Sequence, residues 1–143
     1  MAHGYETRGH PWLGKNVRVL ARSSDEEDFL ERMERDRKRN ERFKLIRLAI
    51  KKICERGIGR CVGKKNFVKP LDSCLGLCEV RVAGHVIRVM TYLHSWKCGQ
   101  GLVLLFDFDG HQGSDRISRS QMDKGRRLAK EARACIEREK RWQ

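Results

Sequence analysis

Residues Phe67–Phe108 read FVKPLDSCLGLCEVRVAGHVIRVMTYLHSWKCGQGLVLLFDF. Short runs rich in Val, Ile, Leu, Phe and Tyr are separated by Ala83-Gly84 and by the polar segment Ser95–Gly101, the pattern of a small antiparallel sheet. Strand side chains alternate, so within Leu75–Val82 the residues Leu77, Glu79 and Arg81 share one face and Cys78, Val80 and Val82 the other. The apolar set is assigned to packing against helices and the charged set to solvent. Val86–Leu93 follows and carries Arg88 among apolar and aromatic neighbours. Leu102–Phe108 is almost continuously apolar, which makes it the most buried, central strand. The arginines are the informative residues here, because a strand arginine must reach solvent or an anion.

Upstream of the sheet, Asn16–Ala21 alternates and reads as a first strand, with Val17 and Val19 on one face. Ser23 or Ser24 caps a helix whose first turn, Asp25–Asp28, is acidic as the helix dipole prefers. A densely charged run, Glu31–Arg42, leads to a second helix from about Glu41 to Glu55. Phe43, Ile46, Ile50 and Ile53 form its apolar stripe, and Gly57 and Gly59 end it. The two helices make an antiparallel hairpin. Gly59–Lys69 is a basic loop containing Lys64, Lys65 and Lys69. Downstream, Asp109–Arg116 is a Gly-rich loop containing His111. Ser118 caps a final helix to about Lys140, with Met122, Gly125, Ala129, Ala132 and Ile136 as its buried stripe. Met1–Lys15 lacks periodicity and reads as a flexible leader, so residues 16–143 form a single domain. The expected fold is α+β: about four antiparallel strands, with the helical hairpin and the C-terminal helix packed on one face.

Composition narrows the function. The chain has 143 residues, 39% hydrophobic and 36% charged, with Lys+Arg 32 against Asp+Glu 19 and a formal net charge of +13. That surplus points to a polyanionic partner, most simply nucleic acid. No apolar run approaches the ~20 residues needed to span a bilayer, and no signal peptide opens the chain, so a cytoplasmic location is expected. The six cysteines are then reduced, and their spacing does not form paired zinc knuckles; no metal or other cofactor is assigned. Asp107 and Asp109 flank Phe108 and point the same way, a geometry for a metal or for an ordinary strand-to-loop transition.

The runs Lys69-Pro70-Leu71, Gly76–Arg81 (GLCEVR), Gly84–Met90 (GHVIRVM) and Val103–Phe108 (VLLFDF) together resemble the RelE/HigB-type toxins and their phage-encoded relatives. Those sequences read K-x-L, G-L-Y-E-L-R, G-x-x-Y-R-V-L-Y and V-L-L-x-x-F, then a basic loop and a helix opened by Thr or Ser. The likeness covers about Asp25 to Arg133 and keeps the order of elements. It implies an mRNA interferase, a metal-independent endoribonuclease often acting on the ribosome and neutralised by a small antitoxin protein. Carried over by position, Arg81 and Arg88 clamp the phosphate and Lys69 contacts the backbone; Lys64 and Lys65 of the basic loop and Arg116 are further candidates for nucleic-acid contact. The family's usual Lys-Lys or Lys-Arg after the last strand is replaced by Asp109-Gly110-His111, so His111 becomes the candidate acid/base. Two alternatives stay open: a non-catalytic nucleic-acid-binding protein of the same fold, and a phage regulator that binds a host protein. The arginines have a structural alternative as well, ion pairs with Glu79 or with helix carboxylates.

Overall fold

The computed structural model describes residues 4–7, 17–23, 41–62, 68–82, 86–96, 99–110 and 117–138. They form an α+β structure built on one six-stranded mixed sheet. Its strands are β1 (Gly4–Thr7), β2 (Val17–Ser23), β3 (Val68–Asp72), β4 (Leu77–Arg81), β5 (Ile87–Trp96) and β6 (Gly99–Asp109). Helices α1 (Glu41–Arg56) and α2 (Ile58–Cys61) precede β3, and α3 (Arg119–Arg138) follows β6. The sheet order is β1-β2-β6-β5-β4-β3, with β2 parallel to β6 and every other pairing antiparallel.

This corrects the expected sheet of about four antiparallel strands. Gly4–Thr7, assigned above to a leader, is an edge strand paired with β2. The polar segment Ser95–Gly101 does separate two strands, but it is largely strand itself: β5 extends to Trp96, β6 begins at Gly99, and the two pair as far as Trp96 with Gly99. Gly101 makes this possible, since a Cβ there would meet the Trp96 indole at 2.6 Å. The first arm of the expected helical hairpin lies outside the described residues; its second arm is α1.

The layering also differs from the expectation. The helices do not share one face. Phe43, Ile46, Ile50 and Ile53 of α1 pack on Val19, Cys78, Val80, Val89, Leu102 and Leu104. Leu128, Ala129, Ala132 and Ile136 of α3 pack on the opposite face, against Leu20, Leu77, Met90, Tyr92, Val103 and Phe106. The near-continuous apolar run of β6 is the cause, because a strand rich in Leu, Val and Phe on both sides buries its surface only between two covering layers. Each fully buried Ile or Leu contributes roughly 1.5–3 kcal/mol to this three-layer core.

Local signals set the element ends. Gly57 adopts φ 84° and ψ 153°, an extended positive-φ conformation that only glycine takes up readily, and its N–H donates to the Ile53 carbonyl at 2.8 Å, so α1 ends there. Ser118 accepts from the Gln121 N–H at 3.3 Å and caps α3 as the sequence implies. Gly76 sits at φ 69° in the β3–β4 turn; its carbonyl accepts from Leu93 N–H at 2.8 Å, and a Cβ would lie 2.6 Å from the Leu93 carbonyl oxygen. The turn therefore needs glycine for both conformation and space.

Candidate functional site

Alternation along β4 sends Leu77, Glu79 and Arg81 to the α3 face of the sheet. Register places Arg81 directly opposite Arg88 of β5, and Lys69 of β3 directly opposite Glu79. Side chains in such positions are near neighbours, with Cβ atoms about 4.5–5.5 Å apart. Three of the residues singled out from sequence, Lys69, Arg81 and Arg88, thus meet at one end of this face.

The face is not the open arginine surface that the sequence implies. Glu79 is only 2% exposed, and Leu77 is fully buried beneath α3. Arg81 and Arg88 both converge on Oε1 of Glu79, the first from Nε at 2.6 Å and the second from Nε at 3.7 Å. Two guanidiniums directly across a strand pair repel one another, and a carboxylate between them offsets that repulsion. Their side chains are 22% and 15% exposed, so the pair is partly withdrawn from water while its cations still reach the surface. Arg88 also donates from Nη1 to the Ile87 carbonyl at 3.0 Å.

Two further features border this cluster. Gly110, just beyond β6, lies against the Arg88 side chain: a Cβ there would come within 3.2 Å of Nε, and its N–H donates to the Val86 carbonyl at 2.7 Å. On α3, the Lys124 ammonium stands 4.5 Å from the centroid of the Phe106 ring, in cation–π range. Phe106 follows Glu79 and Met90 in the same cross-strand row, so Lys124 adds a fourth cation to this end of the face.

The opposite face holds a separate ion cluster. Arg42 of α1 donates from Nε to Asp107 at 2.8 Å and from Nη1 to Asp109. The two carboxylates weighed above for a metal are therefore ligands of a helix arginine. Burial works against the Arg42 charge, but the hydrogen bonds to Asp109 and Asp107 outweigh it and raise its pKa. Among the described residues no cluster of three or more His, Cys, Asp or Glu side chains could hold a metal ion.

At the far end of β5 the α3 face becomes aromatic. Tyr92, His94 and Trp96 form a ladder of edge-on rings, with the Tyr92 hydroxyl 2.7 Å from Nδ1 of His94. Burial pushes the Tyr92 phenol up to about 12 and lowers the His94 pKa, so both are neutral near pH 7. With the phenol as donor, the imidazole proton sits on Nε2. His94 is too many strand residues from Arg81 and Arg88 to move a proton for them, at about 3.3 Å per residue along β5.

Of the remaining predicted residues, His111, Lys64, Lys65 and Arg116 lie outside the described residues. Sequence reading offered Glu79 as an ion-pair partner of the arginines, and the structure bears that out, but it placed Glu79 on a solvent face where the structure buries it. The signal was present in Glu79-Val80-Arg81, a carboxylate and a cation two apart on one strand face. Gly110 and Lys124 carried no comparable signal. Among the described residues, no helix is long and apolar enough to cross a membrane. No family model, curated protein or solved structure gives a significant match to this chain.

Proposed function

We propose that this protein is a RelE/HigB-like toxin that cuts mRNA on the ribosome through a phosphate clamp, and that a small antitoxin protein neutralises it. The observation that carries the reading is the opposed pair Arg81–Arg88 with Lys69 beside it in the register. Paired guanidiniums suit the non-bridging oxygens of one phosphate, and a neighbouring ammonium suits the next phosphate along the strand. The net charge of +13 would draw the polyanion toward it.

In this reading the ribose 2′-OH attacks the adjacent phosphorus, a bond to that oxygen forms, and the bond to the departing 5′-oxygen breaks. Arg81 and Arg88 stabilise the charge that accumulates on the phosphate oxygens. One group must take the 2′-OH proton and one must protonate the leaving oxygen. His111 is assigned to this proton traffic. It follows Gly110 in the chain, and Gly110 lies against Arg88.

A second reading is favoured by the position of Glu79. A carboxylate against both guanidiniums suits a protein that holds phosphate without cutting it, a nucleic-acid-binding or phage regulatory protein of the same architecture. Brief induction in bacteria followed by mapping of new mRNA 5′ ends separates the two. Ends clustered at a fixed codon position, lost in a folded Arg81→Ala variant, support the toxin. RNA binding whose log affinity falls linearly with log salt, with no new ends, supports the binder. Ends that persist in folded Arg81→Ala rule out the clamp.

A further inference from the structure

We propose that Glu79 is a positioning residue: a buried carboxylate that holds Arg81 and Arg88 side by side so that they present one joint phosphate site. The inference rests on reading the two arginines as the phosphate clamp, and it assigns the part played by a residue that would otherwise look like a simple neutralising partner.

Three observations carry it. Glu79 is 2% exposed and presents the same oxygen, Oε1, to Nε of both arginines. The arginines come from different strands and stand directly opposite, where like charges repel, and a shared anion offsets that repulsion. Gly110 supports Arg88 from another direction, because the absence of a Cβ lets the guanidinium lie within van der Waals reach of the backbone. Arg88 is thus fixed by a carboxylate, by the Ile87 carbonyl and by a glycine.

A positioning role makes a prediction that mere charge neutralisation does not. Glu79→Gln keeps the size and one acceptor but removes the negative charge. Ground-state attraction for RNA should hold or strengthen, because a negative charge beside the clamp is gone. Transition-state stabilisation should fall, because the guanidiniums are no longer held together. If Glu79 only diluted the positive charge, its removal would improve binding and cleavage together. If it served only the fold, the loss would follow the unfolded fraction.

The experiment uses the full chain and two measurements. Turnover and affinity are compared on a single-stranded RNA for wild type and Glu79→Gln, with a 2′-O-methyl version of that RNA for binding. The arginine Nε–H signals of Arg81 and Arg88 are followed by NMR, assigned by single Arg→Lys variants. The expected result for folded Glu79→Gln is affinity equal or tighter, cleavage down about tenfold to a hundredfold, loss of the protected Arg81 Nε–H signal and a shift of the Arg88 signal. Retained signals, or cleavage that rises with affinity, would overturn the proposal. Gly110→Ala is the second variant and covers the case in which Glu79→Gln does not fold. It leaves Glu79 in place and should shift the Arg88 signal alone; an unmoved signal there counts against the proposal. Should the wild-type signals prove Glu79-dependent yet fail to shift on RNA binding, the clamp reading falls and the positioning proposal falls with it, leaving Glu79 a structural partner of the two arginines. Should the protein bind RNA through the clamp without cutting it, the signals and affinity alone decide.

Discussion

The two faces of the sheet are made from the same strands and do different work. Toward α1, β4 and β5 contribute Cys78, Val80, Ile87 and Val89, an apolar layer closed at its rim by Arg42 with Asp107 and Asp109. Toward α3 they contribute Leu77, Met90 and Tyr92, then Glu79, Arg81 and Arg88 at one end. One face is uniform and the other is graded from aromatic to ionic. The difference shows how a small domain keeps stability and chemistry apart, by alternation along a strand and not by separate segments. A mutation on the uniform face should therefore change how much protein is folded, whereas one on the graded face should change what the folded protein does.

The largest test of that division is Ile50→Ala, which opens a cavity under α1. It should cost about 2–5 kcal/mol in urea unfolding while leaving RNA affinity per folded molecule unchanged. A change in the affinity of the folded fraction would mean that the two faces are coupled. Gly76→Ala is next. The residue must hold φ 69° and place its Cβ 2.6 Å from the Leu93 carbonyl oxygen, so a loss of about 1–3 kcal/mol is expected. The loss should again leave affinity untouched. The smallest effect is in pH. On the uniform face the Cys54 and Cys78 thiols are pushed up to about 11 by burial, so they do not titrate near neutrality. On the graded face burial lowers the His94 pKa from 6.5, with Glu137 acting in the opposite sense and Arg133 adding to the lowering. The unfolded chain then takes up a proton more readily than the native one. Stability should be flat above pH 6.5, fall as the pH drops below it, and level off below the native pKa. Thermal melts across that range should show the fall in wild type and a weaker one in His94→Gln.

Much of the scaffold was legible in the sequence. The i, i+3, i+7 spacing of Phe43, Ile46 and Ile50 and the glycine at 57 define α1, and Ser118 marks the start of α3. The layering was not read correctly, although its signal was there. LVLLFDF is apolar at consecutive positions, and such a strand has no face to give to water. Taking that literally puts a helix on each side and withdraws Glu79 from solvent. Gly4–Thr7 was missed because an edge strand of four residues has too few positions to show a period. The meeting of Lys69, Arg81 and Arg88 depends on strand register, which residue pattern alone does not fix across three strands.

The pairing of β2 with β6 has a kinetic consequence. β3 to β6 follow one another as neighbours, so each can form by closing a short loop. Val17 must instead find Gln100, and the β1–β2 ribbon leaves the ribosome long before its partner strand exists. Assembly of this protein should therefore end with its beginning: the meander and its helices collect first, and the N-terminal ribbon docks last along the exposed edge of β6. Until then that edge is an open template for any other strand, which makes the interval between synthesis of β6 and docking of β2 the moment of greatest exposure to aggregation.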